Sequence, residues 1–434
     1  MTSKLIDDCF RLDEAGTKRL SHDEVLKRLK TGLSPRAASL NVPAEDACGL
    51  IAAEDVFAPF DVPGHTNSAV DGFAFAHADL ASDQATHFNV VGRSAAGHPF
   101  SETPGRGEAV RIFTGAVMPS GVDTVAMQED CSPISQPVGD RDKAVIAIPP
   151  GLKFAANVRA AGEDVRRDDA IIRTGDTIRP QDVAMAASLG RSVLRCYMRP
   201  RVAVVSTGDE VVRAGDKPLD LGQVYDANSP MLGALVGLAG CHVADLGIWP
   251  DTRADVTDRL RQAASQFDVV LTSGGASLGE EDHMSSAIEE LGSRNFWQIA
   301  VKPGRPLMLG RIDDSIIIGL PGNPVAVFVC FLIYVRPLLR RLGGAHWPEP
   351  QRFALPAAFR VSKRKLGRRE FWRGTLVQSD TGLAVQKYPR DGSGLISSLC
   401  AADGLIDITE DRPDVEPGDL VDFIPFSEFG IITT

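Results

Sequence analysis

Cysteine, histidine, aromatic residues and long apolar runs are scarce in this 434-residue chain, and each scarcity closes off a class of function. The seven cysteines (Cys9, Cys48, Cys131, Cys196, Cys241, Cys330 and Cys400) lie far apart, are odd in number and form no C-x-x-C pair. That spacing suits buried thiols in a reducing compartment rather than a disulfide framework or a zinc site. The eight histidines lack metal-ligand spacing as well. Surplus positive charge is missing: 46 Lys and Arg stand against 57 Asp and Glu, a net charge of −11. Sequence-independent nucleic-acid binding, which depends on clustered positive charge, is therefore not expected. The longest apolar run, Val325 to Val335, ends at Arg336 and is too short to span a bilayer. Met1 to Leu20 carries charge throughout and has no apolar h-region, so no secretory signal is read. A cytoplasmic protein without membrane attachment is expected. No P-loop, no G-x-G-x-x-G and no Ser-His-Asp or Cys-His constellation stands out, which argues against a nucleotide fingerprint and covalent nucleophilic catalysis.

What is present is a pattern that recurs three times between Arg201 and Leu342. An apolar strand-like run ends in a small, glycine-containing loop, and a helical pattern follows. The loops are Ser206-Thr207-Gly208-Asp209-Glu210, Ser273-Gly274-Gly275-Ala276-Ser277 and Pro321-Gly322-Asn323-Pro324. Buried strands alternating with helices predict a parallel sheet whose carboxyl-end loops share one rim, where ligands bind. Small loops let an anion approach backbone N–H groups and helix N-termini. Glu210, Asp251 and Asp282 all follow predicted strands. Hard oxygen donors in that arrangement suit Mg²⁺ beside a phosphate. Each acid alone reads more readily as a helix N-terminal residue favoured by the macrodipole, all three together less so. In the Pro321 loop the prolines give rigidity and Gly322 permits a positive φ. Asn228 is read as the N-cap of the helix after the first loop.

A chain of this length exceeds one ordinary core. Ser21-His22-Asp23-Glu24 fits a capping box ahead of an apolar helix face at Val25, Leu26 and Leu29. Turn residues follow, including Asp71-Gly72, and from about Phe88 to Pro150 short β-like runs alternate with Gly and Pro. After Pro180 the helical period returns. The last ninety or so residues hold short strands and turns. Between Arg352 and Arg373 eight Lys and Arg surround one acid, Glu370, which reads as a solvated hairpin or as a face for an anion.

Taken in order, these motifs resemble the molybdopterin molybdenumtransferases, the MoeA family that includes the gephyrin E domain. The resemblance rests on Asp61-Val62-Pro63-Gly64, Asn67-Ser68-Ala69-Val70-Asp71-Gly72, Arg111-Ile112-Phe113-Thr114-Gly115-Ala116 and Gly162-Glu163-Asp164, and on the three rim loops. Tyr225-Asp226-Ala227-Asn228 and Lys302-Pro303-Gly304 complete it. It implies a multidomain α/β plus β fold. Residues 1–55 and 160–195 would form a discontinuous helical domain and 56–159 an inserted β module. Residues 196–343 would be a MogA-like α/β molybdopterin-binding domain and 344–434 a C-terminal β-barrel. The activity implied is Mg²⁺-dependent hydrolysis of adenylylated molybdopterin with insertion of molybdate at the dithiolene and release of AMP. A tungstate-inserting variant and a non-catalytic binding or scaffold paralogue are the alternatives.

By matching positions the resemblance assigns catalytic roles to Asp71, Thr114, Asp164, Glu210, Asp251 and Asp282, with Glu210, Asp251 and Asp282 as metal ligands. Substrate-binding roles fall to Ser273, Gly274, Gly275, Lys302, Pro321, Gly322, Asn323, Pro324, Arg373 and Ser393. It further implies a homodimer in which Asp71 and Thr114 come from the other subunit, and an upstream molybdopterin adenylyltransferase as supplier. Some relatives carry lysine after the Phe-Trp pair where this chain has Gln298, which bears on the choice of oxyanion.

Overall fold

The computed structural model describes residues 19–135, 144–250, 252–274, 283–304, 306–380 and 382–432. The chain divides into two compact units: residues up to Glu54 with Thr174–Arg179 and Val193 onward, and Asp55–Arg173 with Pro180–Ser192.

The first unit is built on a six-stranded sheet in the order His242–Trp249, Arg201–Thr207, Val269–Ser273, Ser315–Leu320, Pro306–Ile312, Ser293–Gln298. The first four strands are parallel. The last two are not: Pro306–Ile312 runs antiparallel to both its neighbours. Only Asp313-Asp314 separate it from Ser315–Leu320, and a two-residue turn cannot make the crossover that parallel strands require. Both faces of the sheet are apolar, as strands covered on two sides must be. Val202, Val204, Leu271, Ile316 and Ile318 enter one core cluster. Ala203, Val205, Val270 and Ile317, the alternate positions, enter another. The helix Asn228–Leu238 covers the first face through Leu232, Leu235 and Val236. Arg253–Gln266 and His283–Leu291 cover the second through Val256, Leu260, Met284 and Ile288.

The apolar run after Pro324 is one helical rod in three stretches: Pro324–Cys330, a π-helical Phe331–Val335 and Arg336–Leu342. Pro337 has no N–H to give to Ile333, so the regular ladder is interrupted there. The capping box at Ser21 forms, with Glu24 N donating to Ser21 Oγ at 3.2 Å and Ser21 N donating to Glu24 Oε2 at 2.7 Å. Val25 and Leu29 of the helix His22–Gly32 then bury in the first cluster. Beyond that helix the described part of 1–55 has no further α-helix, and its helical content is a short 3₁₀ turn, Ala44–Asp46. Ser39–Pro43 and Ile51–Ala52 flank Val193–Tyr197 in a three-stranded antiparallel sheet. Pro35 and Pro43 break helical continuity.

The C-terminal residues form an antiparallel sheet of Arg369–Ser379, Gly404–Ile408, Leu420–Pro425 and Phe353–Pro356, with Gly382–Lys387 on Arg369–Ser379. A bridge between Ala357 and Val385 joins the ends of this path. Trp372, Ile406, Phe423 and Val385 fill its interior. Phe371, Leu405 and Ile424, the alternate positions, join the core beneath the α/β sheet. Val301–Lys302 pairs in parallel with Arg369–Ser379, so the α/β region and the C-terminal sheet share a strand-like connection.

In the second unit six strands pair in the order Thr124–Met127, Gly72–Phe75, Glu108–Ile112, Thr86–Ser94, Val145–Ile148, Ser132–Ser135. The sequence reads Asp71-Gly72 as a turn, yet Gly72 opens an interior strand. A Cβ at Gly72 would sit 1.9 Å from Ala126 O, so glycine is what lets the strands close there. The helix Pro180–Ser188 belongs to this unit: Met185 and Leu189 pack with Ala58 and Val165. The stretch 160–195 is therefore split between units rather than forming one helical piece.

Candidate functional site

The carboxyl ends of three parallel strands stand level, with Ser206 in register with Ser273 and Ser273 with Leu320. Beyond them the loops turn outward. Gly208 adopts φ +127° and Gly274 φ +93°, both in the region that favours glycine. A Cβ on Gly274 would come within 3.0 Å of Thr207 Oγ1, which shows how closely the first two loops approach. Gly322 has no positive φ; its Cβ position faces open space, which leaves the Pro321 loop free for close approach. Pro324 is the first residue of its helix, as the motif predicts, with Asn323 at the cap position.

Asn228 ties these loops together. Its Nδ2 donates to Ser273 Oγ and to Gly322 O, each at 2.7 Å. The expected capping role falls instead to Asp226, whose Oδ1 accepts from Asn228 N at 3.1 Å and Ser229 N at 3.0 Å. Asp226 Oδ2 accepts from Ser206 Oγ at 2.7 Å, so this buried acid locks the helix start to the first strand. The motifs do not themselves join the roles of Asp226 and Asn228; an acid two positions before a helix start is the local signal for it.

The loop at Arg390–Ser393 links the Pro321 loop to a group of cations. Ser393 O accepts from Val325 N, in the first turn of the helix, at 3.0 Å. Arg390 O accepts from Arg373 Nη2 at 3.0 Å, and Arg373 Nε donates to Ser398 Oγ at 3.0 Å. Lys302 Nζ lies 3.6 Å from Glu370 and 3.7 Å from Asp391. Arg373 is only 4% exposed, and among the described residues no carboxylate stands within ion-pair distance of it. Burial pulls its guanidinium below the usual arginine range, with Asp391 and Tyr388 acting the other way. Burial works against the charge on Asp391. The bond from Lys387 and the fields of Lys387, Lys302 and Arg373 outweigh that and hold it below the usual range. Ser273, Gly274, Pro321, Gly322, Asn323, Pro324, Ser393, Lys302 and Arg373 are thus joined by a continuous set of contacts. Asp391 belongs with them, and nothing in the sequence marked it.

Glu210 lies two residues beyond Gly208 and is exposed; among the described residues no cation pairs with it. Gly275, Asp251 and Asp282 lie outside the described residues, as do Ala276 and Ser277. Among the described residues no group of three His, Cys, Asp or Glu converges as a metal cage. Gln298 is exposed, and its carbonyl accepts from Leu20 N at 2.9 Å.

Half of the basic stretch turns onto two buried carboxylates, while Lys363 and Lys365 stay exposed. Arg364 and Arg368 lie 3.7 and 3.0 Å from the buried Glu370, which also accepts from Trp372 Nε1 at 2.9 Å. Arg352 and Arg369 lie 3.2 and 2.6 Å from the buried Asp407. Two internal carboxylates gather four of the eight cations, because a buried acid must be paired.

In the second unit Asp71 Oδ1 accepts from both Thr114 N at 2.8 Å and Thr114 Oγ1 at 2.7 Å. The backbone bond, then the hydroxyl bond and the field of Arg111, hold the Asp71 carboxyl below its usual range. Asp164 is exposed on a separate turn, its N–H donating to Val62 O at 3.0 Å.

Three family models match the chain: "MoeA N-terminal region (domain I and II)" over residues 20–190, "Probable molybdopterin binding domain" over 203–341 and "MoeA C-terminal region (domain IV)" over 355–426. A molybdopterin molybdenumtransferase of Haemophilus influenzae is 38% identical over 385 residues, spanning 88% of this chain and 93% of that one. Molybdopterin molybdenumtransferase 2 of Mycobacterium tuberculosis is 33% identical over 409 residues, spanning 92% and 96%. The crystal structure of a molybdopterin biosynthesis MoeA protein from Pyrococcus horikoshii superposes with a TM-score of 0.79 at 26% identity, covering 94% of this chain and 100% of that one. No helix among the described residues is long and apolar enough to cross a membrane.

Proposed function

Because this chain belongs to the MoeA family of molybdopterin molybdenumtransferases and is an enzyme of molybdenum cofactor biosynthesis, we propose that it performs the metal-insertion step. In that step water cleaves the phosphoanhydride of adenylylated molybdopterin and AMP leaves; the two dithiolene sulfurs then bond to molybdenum as one oxygen of molybdate departs as water with the protons of the sulfurs. The observation that carries this reading is Arg373: a buried guanidinium with no carboxylate of its own among the described residues, beside Lys302 and the Pro321 loop. A cation held in that way favours an oxyanion over water. Lys302 and Arg373 hold the molybdate or phosphate oxygens. The amides of the Ser273 and Pro321 loops bind the anion without adding charge, and Ser393 positions the helix start.

Glu210, with Asp251 and Asp282, supplies hard oxygen donors that fit Mg²⁺, and the exposed Glu210 carboxylate is available for it. When bound, the ion offsets negative charge on the phosphates. Asp71, kept ionised by Thr114, completes the machinery together with Thr114 from a second copy in a homodimer, and Asp164 is a further catalytic acid. An upstream adenylyltransferase supplies the substrate in the cytoplasm.

The test is AMP release from adenylylated molybdopterin by the purified protein with Mg²⁺, with and without molybdate, and with tungstate in parallel. Molybdate-dependent release that falls at least tenfold in a folded Glu210→Ala variant is expected. Tight substrate binding without release under any condition would replace the transferase with a non-catalytic binding protein.

A further inference from the structure

The second unit carries two arginines whose placement the assigned residues leave unexplained. Arg93 and Arg111 are register partners on the parallel strands Thr86–Ser94 and Glu108–Ile112. Side by side on neighbouring strands, like charges repel. Phe113 follows Arg111 by two residues, and both guanidinium carbons lie over its ring, 4.6 Å from the centroid for Arg93 and 5.1 Å for Arg111. Arg111 also lies 4.8 Å from the ring of Phe73, its register partner on the other side. Stacking fixes the planes of both forks but neutralises neither.

Carboxylates do not compensate them. Among the described residues no acid stands within ion-pair distance of Arg93 or Arg111, although Arg106 in the same unit finds Asp79 at 3.4 Å. Arg111 bonds to the neutral amide of Gln128. Asp71, which feels the field of Arg111, has Oδ1 occupied by Thr114. Two oriented forks without an ion-pair partner among the described residues therefore share the Phe113 ring, Arg111 lying within the field of Asp71.

We infer that Arg93 and Arg111, seated on Phe113, form a binding site for a phosphate-type oxyanion within the second unit. Two forks offer more donors than one tetrahedral group needs, which suits a diphosphate. Naming its natural occupant as the phosphoanhydride of adenylylated molybdopterin rests on the proposed function; the anion site itself does not. The site gives the second unit a substrate-holding role in addition to its acid.

The experiment is calorimetric titration of the full chain with inorganic pyrophosphate, repeated on Arg93→Gln, Arg111→Gln and Phe113→Leu, with melting temperature as the folding control. Arg93 is exposed, so its variant is expected to fold as the parent does. Each arginine variant should weaken pyrophosphate roughly tenfold or more, and raise KM for the adenylylated substrate with kcat little changed. Phe113→Leu should weaken it less, since the charges stay while their orientation is lost. Equal binding by parent and arginine variants, or no binding by the parent, overturns the site. Arginine-dependent binding without AMP release would instead leave the site standing and remove the transferase reading. AMP release with an unchanged KM in the variants would keep the transferase reading and overturn the phosphoanhydride as the occupant of the site.

Discussion

His22 makes the stability of the first unit depend on pH in a way that one substitution isolates. The residue opens the helix His22–Gly32, is 1% exposed, and shares a 2.9 Å hydrogen bond with the buried Tyr334 hydroxyl. Its ring meets Tyr334 and Phe371 edge-on at 5.7 and 5.6 Å. Burial is the largest influence on it, and Arg369 and Arg352 push in the same direction, against Asp407 and Asp23. Together they lower its pKa from 6.5 to about 4. Between those values the unfolded chain binds a proton that the folded chain refuses. His22 thus favours the folded state fully above pH 6.5, and that contribution is lost as pH falls toward 4. At about 1.36 kcal/mol per pH unit the whole loss is about 3 kcal/mol, and by pH 5 it is about 2 kcal/mol. Carboxylates that titrate below pH 5 act in the same direction, so the measurement must be a difference. Trp249, Trp297, Trp347 and Trp372 all belong to the first unit, and tryptophan fluorescence therefore follows its unfolding. Urea midpoints between pH 7.5 and 4.5 should fall more steeply for the parent than for His22→Gln, whose amide keeps a partner for Tyr334 and does not titrate there. Parallel curves for the two proteins would refute the reasoning.

Three further outcomes follow from contacts at or near the site. Asn228→Ala removes both ties between the rim loops and should cost about 1–2 kcal/mol in urea unfolding, with a larger, roughly tenfold or greater loss of AMP release; unchanged release would show that the rim holds its shape without it. Glu370→Gln leaves Lys302, Arg364 and Arg368 around a neutral amide and should destabilise the first unit by about 3–5 kcal/mol, whereas a loss under about 1 kcal/mol would mean that water satisfies those cations instead. Thr114→Ala deletes one of the bonds that hold Asp71 below the usual carboxylate range, so the acid limb of kcat/KM should move to higher pH. An unmoved limb would exclude Asp71 as the group that titrates there.

What the sequence made legible was local. The three strand-to-loop junctions follow from apolar runs ending in Ser, Gly and Pro, and Pro324 starts its helix as a proline at that position should. The capping box at Ser21 lies within four residues and reads directly. Features set by distant partners did not read. Gly72 opens an interior strand because Ala126 comes close to it, and nothing near Gly72 reveals that. The basic stretch was ambiguous for the same reason: Asp407, which gathers Arg352 and Arg369, lies 55 and 38 residues further along the chain. Gly322 failed differently. The expected positive φ is a property glycine permits, but here the absence of a side chain matters for the space it leaves open.

Lys302 shows why the site and the C-terminal sheet cannot be separated. It belongs to the α/β portion by sequence, yet Val301–Lys302 pairs with Arg369–Ser379, and Lys302 stands in register with Glu370. Lys302 is therefore positioned by a carboxylate of the C-terminal sheet, 3.6 Å away. Arg373, three residues beyond Glu370 on that same strand, reaches the Arg390–Ser393 loop, which in turn meets the helix after Pro324. One strand thus supplies the partner for the first cation, carries the second, and is tied to the loop that meets the helix after Pro324. A buried carboxylate whose removal unbalances three cations is costly to change for stability alone. Because one of those cations is Lys302, the same change reaches the proposed oxyanion site, and stability and function at this strand should fail together.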